Sequence, residues 1–115
     1  MFHYINAWET KNKNNETIIN MYACLYNDFN LEFIFKKEHL FNAANHISDL
    51  TKFTLNVETS EVKVTTLEKA MFCEFPSINL NYKGYQNRYT YMSTYSSSID
   101  TSKNQYYNQI VKYDL

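Results

Sequence analysis

An all-β fold is what this sequence predicts, and three observations carry the prediction. The apolar content is dominated by aromatic and β-branched residues, with 11 Tyr and 8 Phe, types that suit a pleated, half-buried surface. Apolar and polar residues alternate with period two over Thr51–Glu58 and again over Glu61–Leu67, the spacing of two strands that each bury one face. Polar segments separate the apolar runs, and because the chain has one Gly and one Pro, asparagine must supply most of the turns. A length of 115 residues supports one unit, 1–115, with no separate domains.

Phe2 to Trp8 reads as a strand with His3, Ile5 and Ala7 on one face. Glu9 to Glu16 is polar and rich in Asn and Lys, a loop or long turn. Thr17 to Leu25 resumes as an apolar run that pairs back on the first strand, giving a hairpin. Between Phe33 and Ser48 the pattern changes, and Phe35, Leu40, Phe41, Ala44 and Ile47 partly match helical spacing, so one short helical segment is expected there. Thr51–Glu58 and Glu61–Leu67 form the clearest hairpin. Arg88 to Tyr95 and Tyr106 to Tyr113 are further strands, separated by a turn-rich loop from Ser96 to Asn104. Successive antiparallel hairpins with one helical interruption fit a small sandwich or a piece of a propeller. The closing run Ile110–Leu115 reads as a strand that needs a further partner, which points to a fragment.

Composition excludes several function classes. A net charge of −1 gives no basic surface for nucleic acid. The aromatic and basic mixture from Asn81 to Tyr89 imitates a single-strand stacking platform, but it has no charge excess behind it. Cys24 and Cys73 lack the close spacing of a zinc or redox motif and read as small buried hydrophobes of a reducing compartment. The first residues are not a signal peptide, and no apolar run is long enough to span a membrane. A cytoplasmic protein, soluble or peripherally attached to membrane, is the expectation. The single glycine, Gly84, rules out a Gly-rich phosphate loop.

The histidines are the remaining chemistry. His39 and His46 are seven apart, whereas ligands on consecutive helical turns sit three or four apart, so they read as solvated or packed. His3 lies in an apolar aromatic run, where a histidine is either packed or a ligand.

Two blocks bear on that choice, Phe2-His3-Tyr4-Ile5-Asn6-Ala7-Trp8-Glu9 and Glu74-Phe75-Pro76-Ser77-Ile78-Asn79. In order and spacing they resemble blocks of the carotenoid cleavage oxygenases, a family that includes retinal-forming dioxygenases and the retinyl ester isomerohydrolase. Arg88-Tyr89-Thr90-Tyr91 is similar to the aromatic strand after the second block. Leu55 to Val62 is similar to a family hairpin that usually has Gly where Ser60 stands, and Val111 to Leu115 to a later strand. The resemblance implies about two blades of a seven-bladed β-propeller that holds ferrous iron, Fe(II), on four histidines. It implies that His3 is one metal ligand and that Glu74 is the carboxylate bonded to its far ring nitrogen. Phe2 and Phe75 then become candidates for the lining of an apolar substrate tunnel, with core packing as the alternative. Asn6, Glu9 and Asn79 are assigned to structural hydrogen bonding. The implied partners are a carotenoid or apocarotenoid and dioxygen, and the implied activity of the intact form is oxidative cleavage of a double bond. A retinoid isomerohydrolase, or a truncated paralogue acting only as a β-rich binding or structural module, remains as an alternative. The other three histidines would lie outside this chain, so the isolated fragment is expected to be inactive.

Overall fold

The computed structural model describes residues 3–26, 48–69, 73–94 and 107–115. Among these residues seven strands make two antiparallel sheets. The first has the order β1 (Tyr4–Lys11), β2 (Thr17–Tyr26), β3 (Ser48–Asn56), β4 (Val62–Glu68), and the second the order β5 (Glu74–Ser77), β6 (Tyr89–Thr94), β7 (Gln109–Asp114). Both sheets are meanders in which each strand pairs with the next one described. The expected helical segment between Phe33 and Ser48 lies outside the described residues, except for Ser48, which opens β3. The loop from Ser96 to Asn104, His39 and His46 also lie outside them.

The first hairpin is tighter than its polar sequence predicts, because β1 continues through Glu9 to Lys11, paired with Thr17. Asn12 does the turning: its side-chain oxygen accepts from the backbone N–H groups of Asn14 and Glu16, and Asn15 takes φ 62°, a conformation asparagine tolerates. At the tip of the β3–β4 hairpin Ser60 has φ 60°. That left-handed backbone is where the resembled hairpin carries glycine, and a side chain pays for it sterically.

The core lies between the sheets. Ile5, Trp8, Tyr22, Cys24 and Leu50 of the first sheet meet Cys73 and Met92 of the second, with Leu67, Ile78, Val111, Tyr113 and Leu115 packed around them. Trp8 and Tyr22 stack with ring centroids 5.2 Å apart, a separation at which aromatic pairs attract beyond simple burial. Asn6 ties the sheets through polar contacts. Its amide nitrogen donates to the carbonyls of Tyr82 and Tyr85 and to Asn87 Oδ1, and its oxygen accepts from the Gly84 N–H. Gly84 has φ 81° and open space where a Cβ would stand, so backbone conformation, not crowding, is what calls for glycine there. By contrast β4 exposes Val62 and Val64 along the outer edge of its sheet.

Strict alternation fails where it was expected to place His3, Ile5 and Ala7 together. The β1–β2 register shifts between Tyr4 and Asn6, so Ile5 and Asn6 are both buried and Ala7 only partly so. A bulge inserts one residue and changes which face the following side chains take.

Candidate metal-ligand pair at the seam of the two sheets

His3 immediately precedes β1, and its carbonyl accepts from the Cys24 N–H of β2 at 3.4 Å. Glu74 opens β5, 71 residues away in sequence. The structure brings the two together: His3 Nδ1 lies 2.6 Å from Glu74 Oε2. Both ends of this contact sit at irregularities. Beside His3 is the β1 bulge. At Glu74 the β5–β6 register shifts before Ser77, and Phe75 adopts φ 51°, a conformation rare for a bulky residue outside special sites. Bulges of this kind re-aim side chains that a regular strand would point elsewhere.

The hydrogen-bond pattern fixes the ring. Glu74 Oε2 also accepts from the Phe75 N–H at 3.1 Å, so it is an acceptor for the imidazole as well. With Oε2 as acceptor Nδ1 carries the hydrogen, and in the neutral ring Nε2 is the nitrogen with a lone pair to offer. The carboxylate is buried while the ring is about half exposed, with side-chain exposures of 5% and 48%. This is the arrangement that orients a metal-binding histidine and raises its basicity.

Tyr26, at the end of β2, stands beside this carboxylate. Burial first, then the hydrogen-bonding and negative charge of Glu74, push its hydroxyl pKa up. Sequence reading passed over Tyr26. Its two-residue spacing from buried Cys24 was the available signal, since both then face the second sheet. Behind the pair, the Cys24 and Cys73 sulfurs are 3.6 Å apart. Hydrogen bonding with Cys73 and burial push the Cys24 thiol pKa up, and the same contact pushes the Cys73 thiol down.

Phe75 is exposed, and its ring packs 5.4 Å from the His3 ring and 5.4 Å from that of Tyr107. Within this chain it sits beside the imidazole as an exposed ring. Phe2 lies outside the described residues. Asn6 has the structural role expected of it, and Asn79 accepts from the Asn81 N–H to start a short 3₁₀ turn, Leu80–Tyr82. Glu9 is exposed on β1.

Ferrous iron fits this site as the partner of one ligand. A neutral imidazole with a free Nε2 and a carboxylate on its other nitrogen suits a borderline cation. Among the described residues no group of three or more His, Cys, Asp or Glu gathers to complete a metal site. No described helix is long and apolar enough to cross a membrane.

Comparison with known proteins places this geometry in context. A family model described as retinal pigment epithelial membrane protein matches residues 1–115. A carotenoid 9,10(9',10')-cleavage dioxygenase 1 from Pisum sativum is 30% identical over 117 residues, covering 100% of this chain and 19% of the relative. Among solved structures, an ACO/RPE65 chimera in its trigonal crystal form superposes with a TM-score of 0.66 at 23% identity, over 99% of this chain and 22% of that one. A point mutant of the Synechocystis apocarotenoid oxygenase (ACO) gives 0.62 at 21% identity, again over 99% and 22%. The chain thus spans about a fifth of the length of the relatives it matches. The likeness to these structures shows the fold: the two antiparallel sheets are part of a β-propeller.

Proposed function

This chain belongs to the retinal pigment epithelial membrane protein family, which includes carotenoid cleavage dioxygenases, and from that membership we propose that it is the part of a carotenoid oxygenase that supplies one histidine ligand to a ferrous centre. The intact protein would cleave a carotenoid or apocarotenoid double bond oxidatively with dioxygen. The observation that carries this reading is the 2.6 Å contact between His3 Nδ1 and Glu74 Oε2, made across the two sheets.

Iron, when bound, supplies the site at which dioxygen is activated next to an electron-rich polyene. The residues of this chain do the positioning. His3 offers Nε2 as a neutral donor. Glu74 holds the Nδ1 hydrogen and so keeps the ring from turning or exchanging tautomers. The Phe75 N–H holds Glu74 in turn. The ring of Phe75, itself packed on Tyr107, covers one flank of the imidazole with apolar surface, which suits a hydrocarbon substrate. One ligand does not hold catalytic iron, so the 115-residue chain alone is expected to be inactive. Cytoplasmic residence with peripheral membrane contact suits an enzyme with an apolar substrate.

Metal analysis of the complete gene product tests the proposal. It should hold one iron per chain and lose it in His3→Ala. If His3→Ala keeps its iron, His3 is a packing histidine and the assignment fails. If the complete product binds no iron at all, the chain serves as a β-rich binding or structural module.

A further inference from the structure

The two cysteines are in contact in a way that burial alone does not require. Cys24 Sγ and Cys73 Sγ are 3.6 Å apart, and both residues are fully buried. They come from different sheets. Cys24 is near the end of β2, while Cys73 is the residue just before β5. Ser48 of β3 holds Cys73 in place: its hydroxyl donates to the Cys73 carbonyl at 2.8 Å and accepts from the Cys73 N–H at 3.1 Å. Since Ser48 pairs with Tyr26 of β2, the backbone near both cysteines is anchored to one sheet. Met92 Sδ packs against Cys24 Sγ at 3.8 Å, a soft neighbour that yields when a sulfur moves.

We infer that Cys24 and Cys73 are an oxidation site, converted by a peroxide into a disulfide between the sheets. A bond of about 2.05 Å requires the sulfurs to approach by about 1.5 Å, a displacement that side-chain rotation provides while the backbone stays anchored. The reaction balances with hydrogen peroxide as oxidant. One thiol gives up its proton and its sulfur attacks a peroxide oxygen, the O–O bond breaks, and sulfenic acid and water result. The second thiol then attacks the sulfenic sulfur, an S–S bond forms, and a second water leaves. Two thiols lose two electrons in all, and one peroxide becomes two waters. Peroxide is small enough to reach buried sulfur that a bulkier disulfide reagent does not reach.

The location gives the bond a consequence. Cys24 donates its backbone N–H to His3, and Cys73 is covalently joined to Glu74. Oxidation therefore ties together the two supports of the His3–Glu74 contact. The crosslink itself stands on geometry alone, whereas its effect on a metal ligand rests on the function proposed above.

The test uses the chain with no metal added, exposed to hydrogen peroxide and then denatured in acid with a thiol-alkylating reagent. Tryptic peptides 14–36 and 70–83 each contain one cysteine, so the expected product is those two peptides joined, restored to separate peptides by reductant. In Cys24→Ser, Cys73 should instead be carried to sulfinic acid. Free alkylated thiols in the native chain at peroxide levels that oxidise free cysteine in the same solution would overturn the inference. So would a joined product that forms only when the chain is denatured before peroxide is added. Imidazole NMR of His3 before and after oxidation reads the coupling separately: a shift in the native chain that is missing in Cys24→Ser supports it. An unchanged spectrum despite a complete crosslink would confine the site to sulfur chemistry and reject the link to the ligand.

Discussion

The contact between His3 and Glu74 and the one between Arg88 and Asp114 have nearly the same length and opposite surroundings. His3 reaches Glu74 at 2.6 Å with the carboxylate 5% exposed, while Arg88 grips Asp114 with two nitrogens at 2.8 and 2.7 Å, the side chains being 70% and 53% exposed. Distance alone would rank them as equals. Burial separates them, because water and salt weaken the outer pair, while the buried Glu74 carboxylate has little solvent to replace a lost partner. The buried polar contacts at the seam should therefore carry large effects and the exposed ion pair almost none.

The largest effect tests the inner side of that contrast through Asn6. Its side chain makes four hydrogen bonds to the segment from Tyr82 to Asn87. Asn6→Ala removes them all and takes its partner from the buried Asn87 side chain, so the chain should lose about 3 kcal/mol of stability. A urea midpoint within error of the parent's would show that the seam is held by apolar packing alone. Glu74→Gln comes next. It keeps the shape but takes away the charge that fixes the His3 ring, so iron retention in the complete gene product should weaken about 10- to 100-fold. Dialysis followed by metal analysis reads it, and unchanged retention would reduce Glu74 to a packing residue.

The alternation of Thr51 to Leu67 and the apolar run from Thr17 were enough to place two hairpins, because period-two patterning marks a strand, although β4 leaves Val62 and Val64 exposed at the sheet edge instead of burying them. The site was less legible for the same reason. His3 and Glu74 both lie where alternation breaks, at the β1 bulge and at the shift after Glu74, and period-two reasoning fails at such points. Only the resemblance of their two blocks to a known family brought them together. The proximity of Cys24 to Cys73 had no sequence signal at all, since the residues are on different sheets and 49 apart.

Backbone strain at an exposed turn should lie between the extremes. Ser60 holds φ 60° with no buried partner to lose. Ser60→Gly should stabilise the β3–β4 hairpin by up to about 1 kcal/mol, because the steric cost of the left-handed backbone is partly offset by the extra freedom of glycine when unfolded. Destabilisation in the same urea titration would mean that the Ser60 side chain contributes a contact outweighing that strain.

The smallest effect belongs to Asp114, and its pH dependence shows why. The hydrogen bonds and charge of Arg88 hold the Asp114 carboxyl below its usual pKa, and the same pairing raises that of Arg88. A carboxylate depressed in the folded state contributes stability above its unfolded pKa and loses it as pH falls through the lower folded value. The window is therefore acidic, below about pH 4, where unfolded aspartate begins to protonate. Because both side chains are largely in water, the contribution should be barely measurable at neutral pH and low salt. It should vanish in high salt. Melting curves of the parent and Asp114→Asn, taken from about pH 6 to about pH 3 at both ionic strengths, check each point. A difference that survives high salt would mean that the pair is shielded from solvent, and a difference as large as that of Asn6→Ala would remove the contrast between seam and surface.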